Sequence, residues 1–308
     1  MPAPRTILVT GAAGFVGRHL RAVLARELPG AAVVASAAEL EDGAALEDEV
    51  RRVRPEACVH LAAISAVQDA RADPARAWRV NVGGTLAMAR ALLAHAPDCL
   101  LVFASSADAY GASFRTGVAL DEGALLAPLN AYGATKAAAD LALGAMVPEG
   151  LQVVRVRAFN QTGRGQSAAF VVPAFARQAA RIAAGLQEPV VRAVALEPAR
   201  DFLDVRDVCA GIALCLVREL APGVVINLAS GVARRIGDVL AAVLAEAGVE
   251  ARVETEAARL RPGEIAVAQG DASRARALLG WAPRIAWEET VREVVADWRE
   301  RINAAAPE

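Results

Sequence analysis

The pair Tyr132 and Lys136, in the segment YGATK, has the residue types and spacing for proton transfer. Residues four apart project from one face of a helix about one turn apart, so an ammonium can lie beside a phenol. A nearby fixed positive charge favours the phenolate and lowers the phenol pKa, which is ordinarily about 10. We therefore expect Tyr132 to exchange a proton with a carbonyl oxygen while a hydride reaches or leaves the carbon. The spacing alone is not specific, because any surface helix can carry such a pair.

Ser105 and Ser106 follow the apolar run LLVFA and end a predicted strand. Open α/β sheets bind ligands at the carboxyl ends of their strands. We expect these hydroxyls to bind the substrate carbonyl opposite the phenol of Tyr132, although serines there can also simply cap a strand or turn. Gly133 lies inside the predicted helix, where glycine costs about 1 kcal/mol relative to alanine. That cost indicates close packing at Gly133, against the cofactor or the sheet.

A glycine-rich turn near the N-terminus predicts a dinucleotide site. The strand Thr6 to Thr10 runs into Gly11, Gly14 and Gly17, and a helix begins near Phe15. Free backbone N–H groups and the helix dipole converge at such a turn and favour a pyrophosphate. The three glycines allow the tight turn, the close approach of the ligand, and the packing of the helix on the strand. An ordinary glycine-rich turn is the alternative.

Alternating strands and helices predict the α/β class, with a Rossmann-type doubly wound parallel sheet and a smaller C-terminal substrate-binding region. We assign residues 1–160 to the dinucleotide-binding domain, to which segments near 200–230 return, and residues 161–308 mainly to the substrate region. The predicted sheet strands are Thr6 to Thr10, Ala32 to Ala35, Ala57 to Leu61, Cys99 to Ser105, Val153 to Ala158 and Val224 to Leu228. A further strand is predicted at Val190 to Val194.

Composition narrows the classes of function. The chain has 308 residues and a formal net charge of −2, without a basic cluster, which argues against nucleic acid as the main partner. Its four cysteines have no CxxC spacing and lie in apolar runs, so we expect reduced thiols, and neither disulfides nor a metal site. The scattered histidines are predicted to be structural or surface residues. Without a signal peptide or an apolar run of about 20 residues, a cytoplasmic protein with no membrane partner is expected.

Nine motifs in order resemble the extended short-chain dehydrogenase/reductase family: TGAAGFVG, HLAA, NVGGT, SSADAYG, YGATK, FNQTG, RDFLDVRDV, RPGE and LGWAPRI. The resemblance extends from Arg5 to about Trp298. It implies that Tyr132 is the acid/base, that Lys136 binds the ribose and lowers the phenol pKa, and that Ser106 polarises the carbonyl. The predicted cofactor contacts are Gly11, Gly14, Phe15, Val16, Gly17, Asp42, Leu61, Ala62, Ala63 and Asn81, together with Tyr132 and Lys136.

The resemblance also implies a nucleotide-sugar substrate. Its predicted contacts are Ser105, Ser106, Asp108, Asn160, Arg200, Arg261 and Glu264. Two arginines suit a diphosphate because each offers forked, charge-assisted donors, whereas surface ion pairing is the alternative for Arg200 and Arg261. Within the family, FNQTGRGQ and RDFLDVRDV most resemble the GDP-4-keto-6-deoxy-D-mannose reductases, which form GDP-D-rhamnose. The expected reaction is thus NAD(P)H-dependent reduction of a 4-keto group.

Three other functions stay open. A 4,6-dehydratase is disfavoured because Ala107 stands where an acid is expected, followed by the shorter Asp108. A 4-epimerase needs the same catalytic parts together with room for the sugar to rotate. A non-catalytic NAD(P)-sensing Rossmann protein would be expected to lack Tyr132 or Lys136.

Cofactor preference depends on the end of the second strand, where a carboxylate would favour NAD and an arginine NADP. The chain has Ala35, Ser36, Ala37 and Ala38 there, so we favour NADP(H) with NAD(H) tolerated. Asp42 or Glu41 is predicted either to contact the adenine amino group or to be solvated. The helices around Leu86 to Leu93 and Tyr132 to Leu143 could form a four-helix bundle between two subunits, which predicts a homodimer.

Overall fold

Strands and helices alternate along most of the chain. The computed structural model describes residues 3–255 and 265–305. The strands are β1 (Thr6–Thr10), β2 (Ala32–Ala35), β3 (Ala57–His60), β4 (Leu100–Ser106), β5 (Val153–Ala158), β6 (Asn160–Thr162), β7 (Val190–Ala193), β8 (Ala199–Asp204), β9 (Val225–Leu228), β10 (Ala233–Arg235), β11 (Arg252–Thr255) and β12 (Val267–Ala268). The helices are α1 (Phe15–Glu27), α2 (Gly43–Val53), α3 (Val67–Ala72), α4 (Pro74–Trp78), α5 (Thr85–His95), α6 (Ala131–Ala145), α7 (Val171–Ala183), α8 (Val205–Cys215), α9 (Ile236–Ala247), α10 (Ser273–Leu279) and α11 (Trp287–Ala305).

The central sheet is parallel and has the order β2-β1-β3-β4-β5-β9. Ile7, Leu8 and Val9 of β1 are all fully buried. Because successive side chains of a strand point to opposite faces, helices must cover both faces of this sheet. Ile7 and Val9 pack in one apolar core, and Leu8 packs in another. The predicted fold class is confirmed, and each predicted strand of this sheet lies within one residue of its observed bounds.

Shorter strands build a second region. β8 pairs with β10, β12 and β6, while β7 pairs with β11 in a separate two-stranded sheet. A third apolar core joins α7, α9 and α11, with Phe202 of β8 packing on Trp287 at 5.6 Å between ring centroids. β9 returns to the central sheet from this part of the chain. The domain boundary at residue 160 stays a prediction.

Two side chains of α1 connect the glycine turn to the loop before α7. The guanidinium of Arg18 donates to the carbonyl of Ala13 at 2.8 Å and to that of Gly165 at 3.1 Å. His19 Nε2 lies 2.8 Å from the carbonyl oxygen of Arg164. The turn at the start of α1 is therefore bound directly to the second region.

Candidate active site

The structure brings Ser106 and Tyr132 together. Ser106 is the last residue of β4, and its side chain hydrogen-bonds the phenol of Tyr132 in the first turn of α6. Asn130 begins α6, because its side chain accepts a hydrogen bond from Gly133 N at 2.7 Å. This cap fixes the point at which the helix starts and hence the direction of Tyr132.

Gly133 allows α6 to approach the turn after β4. A Cβ atom at Gly133 would lie 2.6 Å from the carbonyl oxygen of Asp108 and 3.3 Å from Cβ of Pro128. The close neighbour is thus the backbone of Asp108. The close packing predicted at Gly133 is thus found, and the contact is made by the loop between β4 and α6 rather than by the sheet.

The phenol of Tyr132 holds its proton more tightly than a free phenol. Burial raises the pKa of Tyr132 above its usual range, the Asp108 carboxylate raises it further, and the hydrogen bond with Ser106 opposes both. The sequence-based expectation of a lowered pKa is therefore reversed in this structure. Burial and the nearby carboxylate both disfavour the phenolate, and a protonated phenol is the form that can donate to a carbonyl oxygen.

Lys136 is directed at β4. Its ammonium donates to the carbonyl oxygen of Ala104 at 2.7 Å and lies 5.0 Å from the ring centroid of Phe103. Burial lowers the pKa of Lys136 to about 8, while the charge of Asp140 acts in the opposite direction. The composition also singles out Lys136, independently of the motif spacing. It is the single lysine among the 33 lysine and arginine residues of the chain. Every other basic side chain of that set is arginine, which does not titrate near neutrality.

The glycine turn is closely packed. Gly11 has a φ of +67°, and a Cβ atom there would lie 2.9 Å from Ala62 N. A Cβ atom at Gly17 would lie 2.2 Å from the carbonyl oxygen of Gly11, so α1 could not pack as it does with any other residue at position 17. The turn therefore requires glycine at both positions.

The N-terminus of α1 fits a pyrophosphate. Gly14 is the N-cap and provides no capping side chain, and the first turn of the helix has no acidic residue. Phe15, Val16 and Gly17 are the first three residues of the helix, where backbone N–H groups lack intrahelical acceptors. This turn offers donors and the positive end of the helix dipole, without a carboxylate that would repel an anion.

A second segment faces the glycine turn. Leu61 N and Ala62 N, directly after β3, both donate to Thr10 Oγ1 at 3.2 Å. From Ala63 a cleft of about 480 Å³ extends between the loop after β3, α3, α4 and residues 167–170. The predicted cofactor residues Leu61, Ala62 and Ala63 thus lie beside the glycine turn at the carboxyl edge of the sheet.

Asn81 lies in a π-helix, Arg79–Gly84, and is only 1% exposed. Its side chain accepts from Ile64 N at 2.8 Å and donates to Ile64 O at 3.1 Å and to Thr135 Oγ1 at 2.9 Å. Thr135 in turn donates to the carbonyl of Tyr132 at 2.8 Å. Asn81 therefore joins the loop after β3 to the first turn of α6. Single π-helical turns of this kind occur often at functional sites.

A carboxylate from α2 lies at the end of β2, and the local sequence around β2 does not predict it. Glu49 of α2 is 6% exposed and accepts hydrogen bonds from Ser36 Oγ at 2.5 Å and from Ala37 N at 2.9 Å. Asp42, predicted to contact adenine, is the N-cap of α2 and accepts from Ala45 N at 3.0 Å. Glu49 lies on the buried face of α2, between Leu46 and Val50. This helical periodicity predicts that the Glu49 side chain is buried, but it does not predict which groups it contacts.

The predicted substrate residues divide into separate groups. Burial raises the pKa of the Asp108 carboxyl, while a hydrogen bond from Asn130 and the charge of Arg200 lower it. The guanidinium of Arg200 in β8 donates to the carbonyls of Ala199 and Ile265 at 2.9 Å each. Asn160 is exposed at the start of β6, which pairs with β8. Arg261 and Glu264 lie outside the described residues.

Ser105 lies apart from these residues. It is buried, and its hydroxyl donates to Asp140 Oδ2 at 2.7 Å. Arg157 and Arg155 also donate to the carboxylate of Asp140. Ser105 thus connects β4 to α6, whereas the hydroxyl of Ser106 hydrogen-bonds the phenol of Tyr132.

Within residues 3–255 and 265–305, no group of three or more histidine, cysteine or acidic side chains is arranged to hold a metal ion. Burial raises the pKa of the thiols of Cys58 and Cys215 to about 12, and those of Cys99 and Cys209 still higher. No helix in the same described part of the chain is both long and apolar enough to cross a bilayer.

Comparisons with known proteins agree with this geometry. A model of the family described as GDP-mannose 4,6 dehydratase matches residues 31–294. GDP-6-deoxy-D-mannose reductase of Pseudomonas aeruginosa is 34% identical over 300 residues, which are 96% of this chain and 98% of that protein.

Solved structures show the same similarity. The structure of RMD from Pseudomonas aeruginosa complexed with NADPH matches with a TM-score of 0.89 and 32% identity, over 96% of this chain and 99% of that one. UDP-glucose 4-epimerase of Thermus thermophilus in complex with NAD matches with a TM-score of 0.84 and 27% identity, over 96% and 99% of the two chains.

Proposed function

This chain belongs to the GDP-mannose 4,6 dehydratase family of extended short-chain dehydrogenases/reductases, and we propose that it is an NAD(P)H-dependent reductase of a nucleotide-sugar. The substrate is GDP-4-keto-6-deoxy-D-mannose and the product is GDP-D-rhamnose. The supporting relative is the GDP-6-deoxy-D-mannose reductase, which aligns with this chain over almost its whole length.

The observation that carries the proposal is the hydrogen bond between the phenol of Tyr132 and the hydroxyl of Ser106 at the carboxyl end of β4. The reaction adds a proton to the carbonyl oxygen, and a phenol with a raised pKa holds that proton until the oxygen gains charge. Ser106 orients the phenol and donates a second hydrogen bond to the same oxygen. Lys136 provides positive charge below the site and binds the cofactor ribose. Ser106, Tyr132 and Lys136 are thus the proposed catalytic residues.

The glycine turn and the loop after β3 fit a dinucleotide. When bound, the reduced nicotinamide supplies the hydride to the carbonyl carbon. Gly11, Gly14 and Gly17 hold the backbone open for the pyrophosphate, and the N–H groups at Phe15, Val16 and Gly17 bind its oxygens. Leu61, Ala62, Ala63 and Asn81 form the opposite side of the site, and Asp42 limits it at the adenine end.

The second region binds the sugar nucleotide in this proposal. Arg200 binds the diphosphate, Asn160 binds the nucleotide from β6, and Asp108 contacts the sugar near Tyr132. Arg261 and Glu264, which lie outside the described residues, are assigned to the nucleoside on the RPGE motif alone. Residues 1–160 then bind mainly the cofactor and residues 161–308 mainly the substrate.

Two activities of related proteins are the main rivals. A dehydratase must remove a proton from C5 and expel the C6 hydroxyl, which requires additional acid and base groups. Ala107 has none to offer, and Asp108 is hydrogen-bonded to Asn130. An epimerase uses the same phenol but must let the keto-sugar rotate between two hydride transfers. The epimerase similarity makes this the second candidate.

A coupled measurement separates the three activities. With NADPH and GDP-4-keto-6-deoxy-D-mannose, the protein should oxidise one NADPH for each GDP-D-rhamnose formed. GDP-mannose converted to the keto-sugar without net cofactor use would instead identify a dehydratase. Epimerised sugar with NAD bound throughout would identify an epimerase, and unchanged sugar with tightly bound cofactor would leave a cofactor-sensing protein. Any of these three results overturns the reductase proposal.

NADP(H) is the favoured cofactor, with NAD(H) tolerated. The similar reductase structure contains NADPH, and the carboxylate of Glu49 in α2 already accepts hydrogen bonds from Ser36 and Ala37, directly after β2. A carboxylate held in this way is less available to the ribose hydroxyls of NAD. The ratio of kcat/KM for NADPH to that for NADH should exceed one, and a ratio below one would contradict this preference.

A homodimer through α5 and α6 completes the proposal. Leu141 projects from α6 with 59% of its surface exposed, and α5 packs beside α6. An isologous pair of these helices from each subunit would bury such side chains. Light scattering should show a dimer, and Leu141→Asp should shift it to a monomer. The matched change Leu278→Asp, at an exposed leucine of α10, should leave the mass unchanged.

A further inference from the structure

His60 is a buried titratable residue without a role in the proposed chemistry. It is the last residue of β3, is 1% exposed, and stacks on Phe103 with 6.1 Å between ring centroids. Its two ring nitrogens each have one partner, Thr10 Oγ1 at 2.9 Å from Nδ1 and Thr85 Oγ1 at 3.0 Å from Nε2. Thr10 immediately precedes the glycine turn, and Thr85 immediately follows the π-helix that contains Asn81.

The hydrogen bonds around His60 have one direction. Thr10 Oγ1 already accepts from Leu61 N and Ala62 N, so its own proton is donated to His60 Nδ1. A neutral imidazole with an accepting Nδ1 carries its proton on Nε2, which then donates to Thr85 Oγ1. Thr85 Oγ1 passes its proton on to the carbonyl oxygen of Asn81 at 2.7 Å. Thr10 Oγ1 thus accepts twice and donates once, and the hydrogen bonds from Thr10 through His60 and Thr85 to Asn81 all run in one direction.

The surroundings keep the imidazole neutral. Burial lowers the pKa of His60 to about 3, and the charge of Lys136 in α6 lowers it as well. The ring also contacts Phe103 of β4 and the hydroxyls of Thr10 and Thr85, and these three groups carry no charge. The order of donors and acceptors is therefore the same throughout the physiological pH range.

Both ends of the chain of hydrogen bonds reach the cofactor site. At one end, Thr10 holds the N–H groups of Leu61 and Ala62, and Ala62 N is the atom closest to a Cβ built at Gly11. At the other end, Thr85 binds the backbone of Asn81, whose side chain holds Ile64 and Thr135. The imidazole of His60 thus bridges the two threonines and, through them, the two sides of the site.

We propose that His60 is a positioning residue, whose Nδ1 fixes the loop beside the glycine turn through Thr10 and whose Nε2–H fixes the π-helix of Asn81 through Thr85. The Nδ1 branch orders the backbone that faces the dinucleotide. The Nε2 branch sets the position of Asn81, which connects to the helix of Tyr132. The inference rests on the proposed function only where turnover is measured.

Two substitutions of His60 separate the branches. His60→Asn places an amide near the position of Nδ1, so it keeps the bond with Thr10 and loses the bond with Thr85. His60→Gln reaches the position of Nε2 and does the reverse. Loss of one buried hydrogen bond corresponds to about a 10-fold effect. We expect His60→Gln to raise the Kd for NADPH about 10-fold with a smaller change in kcat, and His60→Asn to lower kcat about 10-fold with a smaller change in Kd.

Thr85 provides a conservative rescue. Thr85→Ser keeps the hydroxyl and should retain the turnover of the parent protein, whereas Thr85→Val keeps the shape and should lower kcat as His60→Asn does. His95→Gln, at a partly exposed histidine paired with Glu47, is the matched control and should change neither constant. The proposal would be overturned if both His60 variants lost NADPH affinity and kcat to the same extent. It would also be overturned if Thr85→Ser and Thr85→Val had the same activity.

A spectroscopic measurement on the unaltered protein tests the proposal without turnover. The chain has three histidines, so ¹⁵N spectra of the labelled imidazoles contain three sets of signals, which His19→Gln and His95→Gln assign. His60 should have a protonated Nε2 and an unprotonated Nδ1 from about pH 5 to about pH 9. The opposite tautomer, or a titration in this range, would reject the assigned direction. If no nucleotide-sugar is turned over, NADPH affinity and these spectra still decide the role of His60.

Discussion

The two ends of α6 treat their charged and titratable residues in opposite ways. The first two turns carry Tyr132 and Lys136, whose partners are a serine hydroxyl and a backbone carbonyl. The third turn carries Asp140, which is fully buried and accepts hydrogen bonds from Ser105, Arg155 and two nitrogens of Arg157. The hydrogen-bond partners of Tyr132 and Lys136 are uncharged, whereas three of the four hydrogen bonds to the Asp140 carboxylate come from guanidinium groups.

This difference corresponds to two roles: the first turns of α6 take part in the proposed proton transfer, and Asp140 holds the helix to the sheet. Groups that must exchange protons need a pKa that can respond. Burial raises the pKa of Tyr132, which the Asp108 carboxylate raises further, and burial lowers the pKa of Lys136 against the charge of Asp140. The carboxylate of Asp140, with one hydroxyl and three guanidinium nitrogens as donors, holds its helix to the sheet. Because both ends belong to one helix, the ion pairs around Asp140 fix the frame in which Tyr132 and Lys136 act.

Tyr132→Phe should have the largest effect, because it removes the proton donor and leaves the helix intact. We expect kcat to fall by about 10³-fold, with little change in NADPH affinity measured by fluorescence. Tyr110→Phe is the matched control, since Tyr110 is the other tyrosine of the chain and its hydroxyl binds Asn227 and Arg157 away from the site. Turnover retained in Tyr132→Phe would reject the role of the phenol as the acid.

Asp140→Asn should have the largest effect on stability at the anchored end. It leaves the guanidinium groups of Arg157 and Arg155, whose side chains are 5% and 14% exposed, without their carboxylate. We expect a loss of about 3–5 kcal/mol in the free energy of unfolding, measured by urea denaturation. Arg51→Gln, in the exposed ion pair with Glu47, should leave the denaturation midpoint unchanged. Similar midpoints for both variants would show that the buried ion pairs do not anchor α6.

The smallest expected effect is a pH dependence at the reactive end. The pKa of Lys136 is lowered to about 8 by burial, so the ammonium is present below that pH and is lost above it. We therefore expect kcat/KM to stay constant between about pH 7 and the pKa of Lys136, as far as this group determines it. Well above pH 8, kcat/KM should fall by about tenfold for each pH unit. Because the chain has one lysine, the ¹⁵N signal of labelled lysine reports this pKa directly. A titration near the ordinary lysine pKa of about 10.4 would contradict the lowered value.

Local signals made the central sheet predictable. Its strands are short apolar runs between turn residues, and its glycine turn lies directly between β1 and α1. The strands of the second region were harder to find. β8, which contains Arg200, was not predicted, and the two residues of β12 pair with it across more than sixty positions. Because this pairing depends on residues that are distant in the chain, no local sequence pattern predicts it.

The candidate site was predictable in its residues and less so in its electrostatics. The spacing of Tyr132 and Lys136 placed both side chains on one helix, as found. It could not show that Lys136 turns to Ala104, or that Asp108 lies close enough to raise the pKa of Tyr132. Ser105 and Ser106 are alike in sequence, and only the packing of Asp140 against β4 distinguishes their roles.

The sequence by itself determined the parallel sheet, the glycine turn and the identity of the residues around the proposed site, because these depend on steric rules and periodicities that act over a few residues. Tertiary structure alone decided the protonation of those residues and the partners of His60, Asp140 and Glu49. A pKa depends on desolvation and on charges brought near by folding. Both are properties of the packed interior, where residues distant in the chain become neighbours.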